Sequence, residues 1–180
     1  MEGEMLNKFE KLNADKQVLF LLGLCETVVG RLSTSPNFEA VKNTLEICWE
    51  WLQNKEHLAE EIYNLLDNGT EETGLFMLMQ DETEELKELA FGCIVDAVSY
   101  TNWLAFKNGG REYLPAPIEN VDESVVEQFL DGFYQIKQAN RFIAERLMTI
   151  LEQTNENQVP VLIRMRAQFE VFGDNEHFHN

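Results

Sequence analysis

Positive charge is scarce in this sequence of 180 residues, which has 14 Lys and Arg against 32 Asp and Glu and a formal net charge of −18. A folded surface with so few cations repels the phosphates of nucleic acids and of anionic lipids. The sequence also lacks a patch of basic and aromatic residues for DNA or RNA. The composition therefore argues against a nucleic-acid or membrane partner and favours a basic protein partner.

Cysteine is also rare, and the three that occur, Cys25, Cys48 and Cys93, lie inside apolar runs with helical spacing. An odd number of cysteines in such positions indicates reduced thiols and a reducing compartment. The acidic start of the chain is not followed by the apolar core of a secretory signal. The apolar run at residues 18–24 is too short to span a bilayer. We therefore expect a cytoplasmic protein.

Signatures of catalysis and of metal binding are missing as well. The three histidines are dispersed or lie at the end of the chain: His57, His177 and His179. They form neither a metal-ligand pair at helical spacing nor a Ser–His or Cys–His nucleophile arrangement. A glycine-rich phosphate loop is absent too. We therefore expect no catalytic residue, no metal site and no cofactor.

Two carboxylate pairs keep an enzymatic alternative open. Glu56 and Glu60, and likewise Glu85 and Glu88, have the helical spacing by which all-α magnesium-dependent nucleotide pyrophosphatases hold their ions. With 32 acids such pairs arise by chance, and no second pair on a neighbouring helix completes the set. A helical adapter protein with an unknown partner is the other alternative.

Hydrophobic residues make up 44% of the chain and fall at helical spacing, without the alternation of strands. The pattern predicts a single all-α domain over residues 1–180, with frayed ends at about 1–12 and 174–180. It predicts a bundle of about six to seven helices around a central buried helix at about residues 83–107, which is apolar almost all round.

Capping and turn signals give the remaining boundaries. Asn13 is expected to cap a helix to about residue 32, and Ser35 a second one to about residue 54. Asp122 is expected to cap a helix that bends near residues 138–140. The other expected elements are a short helix at 56–66, a weakly indicated helix at 73–80, the end of the bent helix near 153, and a last helix from about 157 to 172.

Acid is concentrated in one part of the chain, the acidic stretch, which we define as residues 46–88. It holds thirteen carboxylates but only two cations, Lys55 and Lys87, and so more than half of the net charge. The simplest interpretation is a solvated face. A concentrated field of one sign also accelerates encounter with an oppositely charged partner. The acids that we predict to contact such a partner are Glu46, Glu50, Glu56, Glu60, Glu61, Asp67, Glu71, Glu72, Asp81, Glu82, Glu84 and Glu85.

Ile47 and Trp51 lie on the side of their helix opposite to the predicted core face, which includes Leu45, Cys48 and Leu52. They either pack under a neighbouring helix in a second layer or stay exposed until a partner binds. If exposed, a tryptophan with carboxylates around it has the composition of a binding hot spot. We include both residues in the predicted partner-binding surface.

Asp96 is the one charge in the apolar part of the central helix and shares a strip with Gly92 and Ser99. Small neighbours allow another helix to come close, and an unpaired buried carboxylate is costly. We predict that Asp96 is a structural acid that accepts hydrogen bonds.

Four segments together carry a family resemblance: Leu45–Leu52 with its Trp-Glu-Trp motif, Tyr63–Asp67, Cys93–Tyr100 and Tyr113–Pro117. Over roughly residues 15–150 the chain resembles the sixth numbered immunity-protein family of bacterial polymorphic toxin systems. A second resemblance is to an uncharacterised helical bacterial family with a similar Trp-Glu-Trp helix. The first resemblance implies a cytoplasmic protein without enzymatic activity that binds and neutralises a cognate toxin domain. Our prediction is that the acidic, tryptophan-bearing face binds a basic toxin domain, such as a nuclease.

Overall fold

The helical spacing of the sequence is realised throughout the computed structural model, which describes residues 2–69, 72–111 and 113–169. These residues form ten α-helices and no strand, which confirms the all-α fold. The helices are α1 Glu2–Lys11, α2 Ala14–Val28, α3 Phe38–Asn54, α4 Ala59–Leu66, α5 Leu75–Leu78, α6 Glu85–Asn108, α7 Ala116–Glu119, α8 Glu123–Ile136, α9 Asn140–Gln153 and α10 Val159–Arg164. Short 3-10 helices cover Val29–Leu32, Met79–Asp81, Glu156–Gln158 and Arg166–Gln168.

Helix α6 is the central element, as its sequence predicts. Most of its residues from Ala90 to Phe106 are buried, and α2, α3, α4, α7 and α8 pack around it. The most extensive contact is with α8, where a Cβ added to Gly132 would lie in ordinary van der Waals contact, 3.4 Å from Cys93 Sγ. The two helices are therefore closely packed at this position.

By length and composition, α6 is also the one helix of the described residues that could cross a membrane. However, 78% of the 18-residue segment of α6 that is apolar enough to span a bilayer is buried inside the fold. The other helices therefore already cover the apolar surface of α6.

The N-terminal residues belong to the core, contrary to the expected fraying at residues 1–12. Helix α1 buries Met5 and Phe9, and the Phe9 ring makes edge-to-face contacts with Phe20 and Tyr100 at centroid distances of 5.8 and 5.5 Å. The two apolar residues are one helical turn apart, so α1 presents them on the same side. This short amphipathic pattern was missed. The expected C-terminal fraying at 174–180 lies outside the described residues.

Two of the three predicted caps are confirmed. Asn13 accepts a hydrogen bond from the backbone N of Lys16 at 2.9 Å, and Asp122 accepts one from the backbone N of Ser124 at 2.9 Å. Ser35 does not cap a helix, because α3 begins only at Phe38. Its hydroxyl instead donates to the buried carboxylate of Glu82.

The helix expected to bend near residues 138–140 is in fact two helices. Helix α8 ends at Ile136, and Lys137 has an extended backbone. The buried side chain of Asn140 then donates to the carbonyl of Phe133 at 2.7 Å. This bond satisfies a carbonyl at the end of α8 and fixes the angle at which α9 starts. The last helix is shorter than expected and ends at Arg164.

Asp96 is buried between α6 and α8, as expected, with 8% of its surface exposed. Its carboxylate accepts hydrogen bonds from Gln128 Nε2 at 3.1 and 3.4 Å. Burial raises the pKa of Asp96 from its usual 3.8 to about 7, and the bond from Gln128 opposes that rise. The native state therefore holds a proton on Asp96 at pH values where the unfolded chain has released it.

We expect Asp96→Asn to change the pH dependence of stability. A raised native pKa means that the contribution of Asp96 to stability falls as pH rises from 3.8 to about 7 and levels off above that value. The asparagine keeps an oxygen for Gln128 and cannot ionise. The melting temperature of the variant should therefore rise relative to that of the wild type as pH increases from 3.8 to about 7. Parallel melting curves for the two proteins at all pH values would contradict a raised native pKa.

Candidate partner-binding surface

The segments that carry the predicted acids pack beside one another. Asn37, just before α3, donates from Nδ2 to the carbonyl of Leu78 at 3.3 Å, so α5 lies near the start of α3. The tight corner at residues 55–58 joins α3 to α4, and α4 contacts both α3 and α5. The acidic stretch therefore folds back on itself along one side of α6.

One group of the predicted acids is exposed and makes no ion pair within the described parts of the chain. This group, the unpaired acids, consists of Glu56, Glu72, Asp81 and Glu85. Glu88, which was not in the predicted set, is exposed in the same way. Like charges without counterions generate a field that extends into solvent by about a Debye length, about 8 Å at physiological salt.

Three other predicted acids are neutralised within the chain. Glu46 binds Arg166 Nη1 at 2.6 Å, and Glu84 binds Lys87 at 3.1 Å. Glu60 forms an ion pair with Arg111, beyond the end of α6. Arg111 and Arg166 lie far from these acids in sequence, so counting charges along the chain could not reveal the pairing.

His57 holds two further acids at the corner between α3 and α4. Its Nε2 lies 2.5 Å from Glu50 Oε2, and its Nδ1 lies 3.1 Å from Glu61 Oε2. Both partners are hydrogen-bond acceptors, so both contacts are hydrogen bonds only if the ring carries two protons. The hydrogen bond to Glu50, followed by that to Glu61, raises the pKa of His57 against the opposing effect of burial. When its ring is doubly protonated, His57 bridges the two carboxylates, and the raised pKa favours that form.

The remaining predicted acids have mainly local roles. Asp67 is half-buried at the end of α4 and accepts bonds from the Tyr63 hydroxyl at 3.2 Å and from Gly69 N at 3.0 Å. Glu82 is buried against Ser35. Its prediction as a contact residue is therefore corrected, because a buried carboxylate cannot meet a partner without local opening. Glu71 lies outside the described residues.

The placing of Trp51 in the partner-binding surface is also corrected. Only 3% of its surface is exposed, because the corner and the end of α6 cover the side of α3 opposite to the main core. Ile47 is half-buried and packs against the core. Both residues therefore take the second-layer alternative, and the Lys55 ammonium lies over the Trp51 ring at 4.6 Å.

Sequence reasoning missed three apolar residues that the structure leaves exposed in the acidic stretch. They are Leu58 at 62%, Met77 at 44% and Leu86 at 37% exposure. Leu58 directly precedes the first residue of α4, and Leu86 lies in the exposed first turn of α6. A helical wheel of α6 extended to its first turn could have placed Leu86 with the charged residues.

The pairs proposed for a magnesium site receive no support from the geometry. The described part of the chain contains no group of three or more His, Cys, Asp or Glu side chains that could hold a metal ion.

The three cysteines are buried free thiols. Burial raises the pKa of Cys48 to about 12, which leaves that thiol protonated and unreactive at neutral pH.

Comparison with known families gives a match over most of the chain. The family model described as Immunity protein Imm6 matches residues 16–136. This range includes the acidic stretch, the central helix α6 and all of α8, whereas α1, α9 and α10 lie outside it. Searches of curated proteins and of solved structures each gave no match.

We expect Trp51→Ala to destabilise the fold. The substitution empties a large buried site under the corner and should reduce the free energy of unfolding by about 3–5 kcal/mol. Thermal and denaturant unfolding measure the loss. Leu58→Ala is the control, because it removes a neighbouring side chain that is 62% exposed and should leave the melting temperature near that of the wild type. Equal stability of Trp51→Ala and the wild type would argue against the second-layer packing.

Proposed function

We infer the function of this chain from its family and its surface: the chain belongs to the Immunity protein Imm6 family. The family implies an immunity protein of toxin systems, and hence a partner that is a toxin. It also suggests a binding protein and not an enzyme. We propose that this chain neutralises one cognate toxin domain by stoichiometric binding in the cytoplasm.

The observation that carries the choice of surface is the set of unpaired acids. These acids are exposed on neighbouring segments: Glu56, Glu72, Asp81 and Glu85. They are part of the excess of acid that gives the chain its net charge of −18. Such a field draws a basic partner into encounter before contact forms. A basic toxin domain complements it.

The proposed mechanism is steric and electrostatic. A toxin that acts on nucleic acid needs a basic groove for phosphates, and the unpaired acids match the charge that such a groove attracts. By covering that groove, the bound protein excludes the substrate. The buried free thiols Cys25, Cys48 and Cys93 suit a reducing compartment.

The first test is rescue of growth. The probe is the C-terminal domain of a secreted protein encoded directly upstream of this chain, expressed inside the cell. We expect that domain to stop growth alone and growth to resume when this chain is co-expressed, because a tight complex removes the free toxin. A purified equimolar complex provides the check on mechanism. Continued growth arrest with abundant folded protein would overturn the proposal.

The second test reverses charge and follows the association rate with the same toxin domain. The variant Glu72→Lys, Asp81→Lys, Glu85→Lys should associate about tenfold more slowly at low salt, because steering acts before contact. Wild-type association should also slow as salt approaches about 0.15 M, where the screening length falls to about 8 Å.

The matched control is Glu123→Lys, Glu127→Lys, Asp131→Lys on α8. It makes the same change in net charge with exposed residues outside the acidic stretch. It also contains one acid from the first turn of a helix, as Glu85 is in α6, so both variants carry a similar penalty from the helix dipole. Equal association rates for the two triple variants would show that the acidic stretch does not steer the toxin.

A further inference from the structure

The segment that runs from α5 into the first turns of α6 combines exposed apolar side chains with acids. We call residues 75–89 the α5–α6 surface. Met77 on α5 is 44% exposed, and Leu86 in the first turn of α6 is 37% exposed. Further apolar residues of the same segment are half-buried and pack against the core: Phe76, Leu78, Met79 and Leu89. Apolar groups that accumulate in one place and are rimmed by polar residues mark an interaction site, whereas single exposed ones need no explanation.

The inward side of the α5–α6 surface is tied to the rest of the fold. A Cβ at Gly74 would collide with the backbone at the end of α4, so α5 starts directly against α4. The Leu78 carbonyl accepts a hydrogen bond from Asn37 Nδ2 at 3.3 Å, and the carboxylate of Glu82 accepts one from the buried Ser35 hydroxyl. A segment held at three points loses little conformational entropy when a partner covers its outer side.

The charges on the α5–α6 surface that lack counterions are all negative. Asp81, Glu85 and Glu88 are exposed and make no ion pair within the described residues. The one cation of the segment, Lys87, is already paired with Glu84 at 3.1 Å. A partner that covers the exposed apolar side chains therefore comes close to three carboxylates without counterions, and cations on its own surface complement them.

The acids adjoin the exposed apolar side chains themselves. Glu85 directly precedes Leu86 in the first turn of α6. Gln80 Nε2 donates to Met77 Sδ at 3.9 Å, and Asp81 is the next residue along the chain. The same partner segment can thus meet an apolar side chain and a carboxylate at both places.

Charge also distinguishes this surface from the exposed apolar pair of α10. Val161 and Met165 are 48% and 40% exposed, but the charged residues next to Met165 in sequence are Arg164 and Arg166. A second copy of the chain complements the α5–α6 surface poorly, because a symmetric dimer would place these acids against themselves. A basic partner is therefore the occupant that the charges favour.

We propose that the α5–α6 surface is the contact site for a basic segment of the toxin domain. Apolar side chains of that segment cover Met77 and Leu86, and its lysines or arginines pair with Asp81, Glu85 and Glu88. The flexible thioether of methionine adapts to the shape of the partner. The proposal rests on the function proposed above and names the place of closest contact and the chemistry of the segment that occupies it.

The first test is protection of Met77 in the complex of the wild-type chain with the same purified toxin domain. Hydrogen peroxide oxidises accessible methionines to the sulfoxide, and mass spectrometry of peptides gives the rate at each position. Oxidation of Met77 should slow by about fivefold or more on binding, because the partner covers its sulfur. Met165, which is 40% exposed, is the matched control and should keep its rate. An unchanged rate at Met77 in the complex would overturn the proposal.

The second test replaces both exposed apolar side chains by glutamine, which preserves the net charge. The variant Met77→Gln, Leu86→Gln should dissociate from the toxin domain about tenfold faster, because the loss of contacts acts mainly on the dissociation rate. Its association rate should stay within about threefold of wild type, since the long-range field is unchanged. Its melting temperature should stay near wild type, because both positions are exposed and glutamine is a good helix former.

The matched control for the second test is Val161→Gln, Met165→Gln, which makes the same kind of change outside the acidic stretch. It should dissociate within about twofold of wild type. If the Met77→Gln, Leu86→Gln variant does so too while wild-type association still depends on salt, the contact site is wrong and the proposed function stands. A free chain that is dimeric, and that this variant makes monomeric, would assign the surface to a second copy and contradict the proposal. If the wild type does not bind the toxin domain at all, the proposed function fails and the contact site with it.

Discussion

Burial of α6 on all sides is the constraint from which the rest of the structure follows. A helix that is apolar almost all round has no face to give to water, so it needs neighbours on every side. Helices α2, α3, α4 and α8 meet that need. Helices α3, α4 and α8 turn polar sides outward, whereas residues 18–26 of α2 are themselves buried. Gly132 lets α8 come within van der Waals distance of Cys93. The buried Asp96 of α6 receives its hydrogen bonds from Gln128, which also belongs to α8. The acidic stretch is thus the outward side of the segments that enclose one flank of α6.

The acids of the acidic stretch fall into two groups, paired and unpaired. Along α3 and at the corner, Arg166 pairs with Glu46 and Arg111 pairs with Glu60, whereas Glu56 stays unpaired. Arg166 also binds the buried Glu26 at 3.1 Å and lies over the Trp49 ring, so this pairing ties the C-terminal segment to the core. Elsewhere, as at Asp81 and Glu85, the acids face solvent without counterions. Internal pairing limits the self-repulsion that a charge of −18 imposes on a compact chain.

Sequence periodicity predicted the fold class and the central helix because both depend on local spacing of apolar residues. Asn13 and Asp122 were predictable as caps for the same reason, since a cap acts within three residues. Features set by distant contacts were not predictable. Trp51 lies on the polar side of its own helix and is buried only because residues 55–60 and the end of α6 cover it. Glu82 is buried by Ser35, which precedes it by 47 residues. Which acids stay unpaired depends likewise on Arg111 and Arg166.

The corner at residues 55–58 is held firmly for a short loop, and this bears on how the surface can bind. Lys55 has a left-handed backbone at φ 57°, which costs free energy for a residue other than glycine. Its amide donates to Trp51 O at 2.8 Å, its ammonium donates to Leu52 O at 2.8 Å, and Asn102 of α6 donates to Ala59 O at 2.7 Å. Together with the contacts of His57 to Glu50 and Glu61, these bonds hold the backbone of the corner in one conformation. A preorganised corner loses little conformational entropy on binding. The unpaired acids Glu72, Asp81 and Glu85 act through a field that needs no fixed geometry. The fixed corner is therefore suited to contacts of defined geometry, and the remainder of the acidic stretch is suited to long-range attraction.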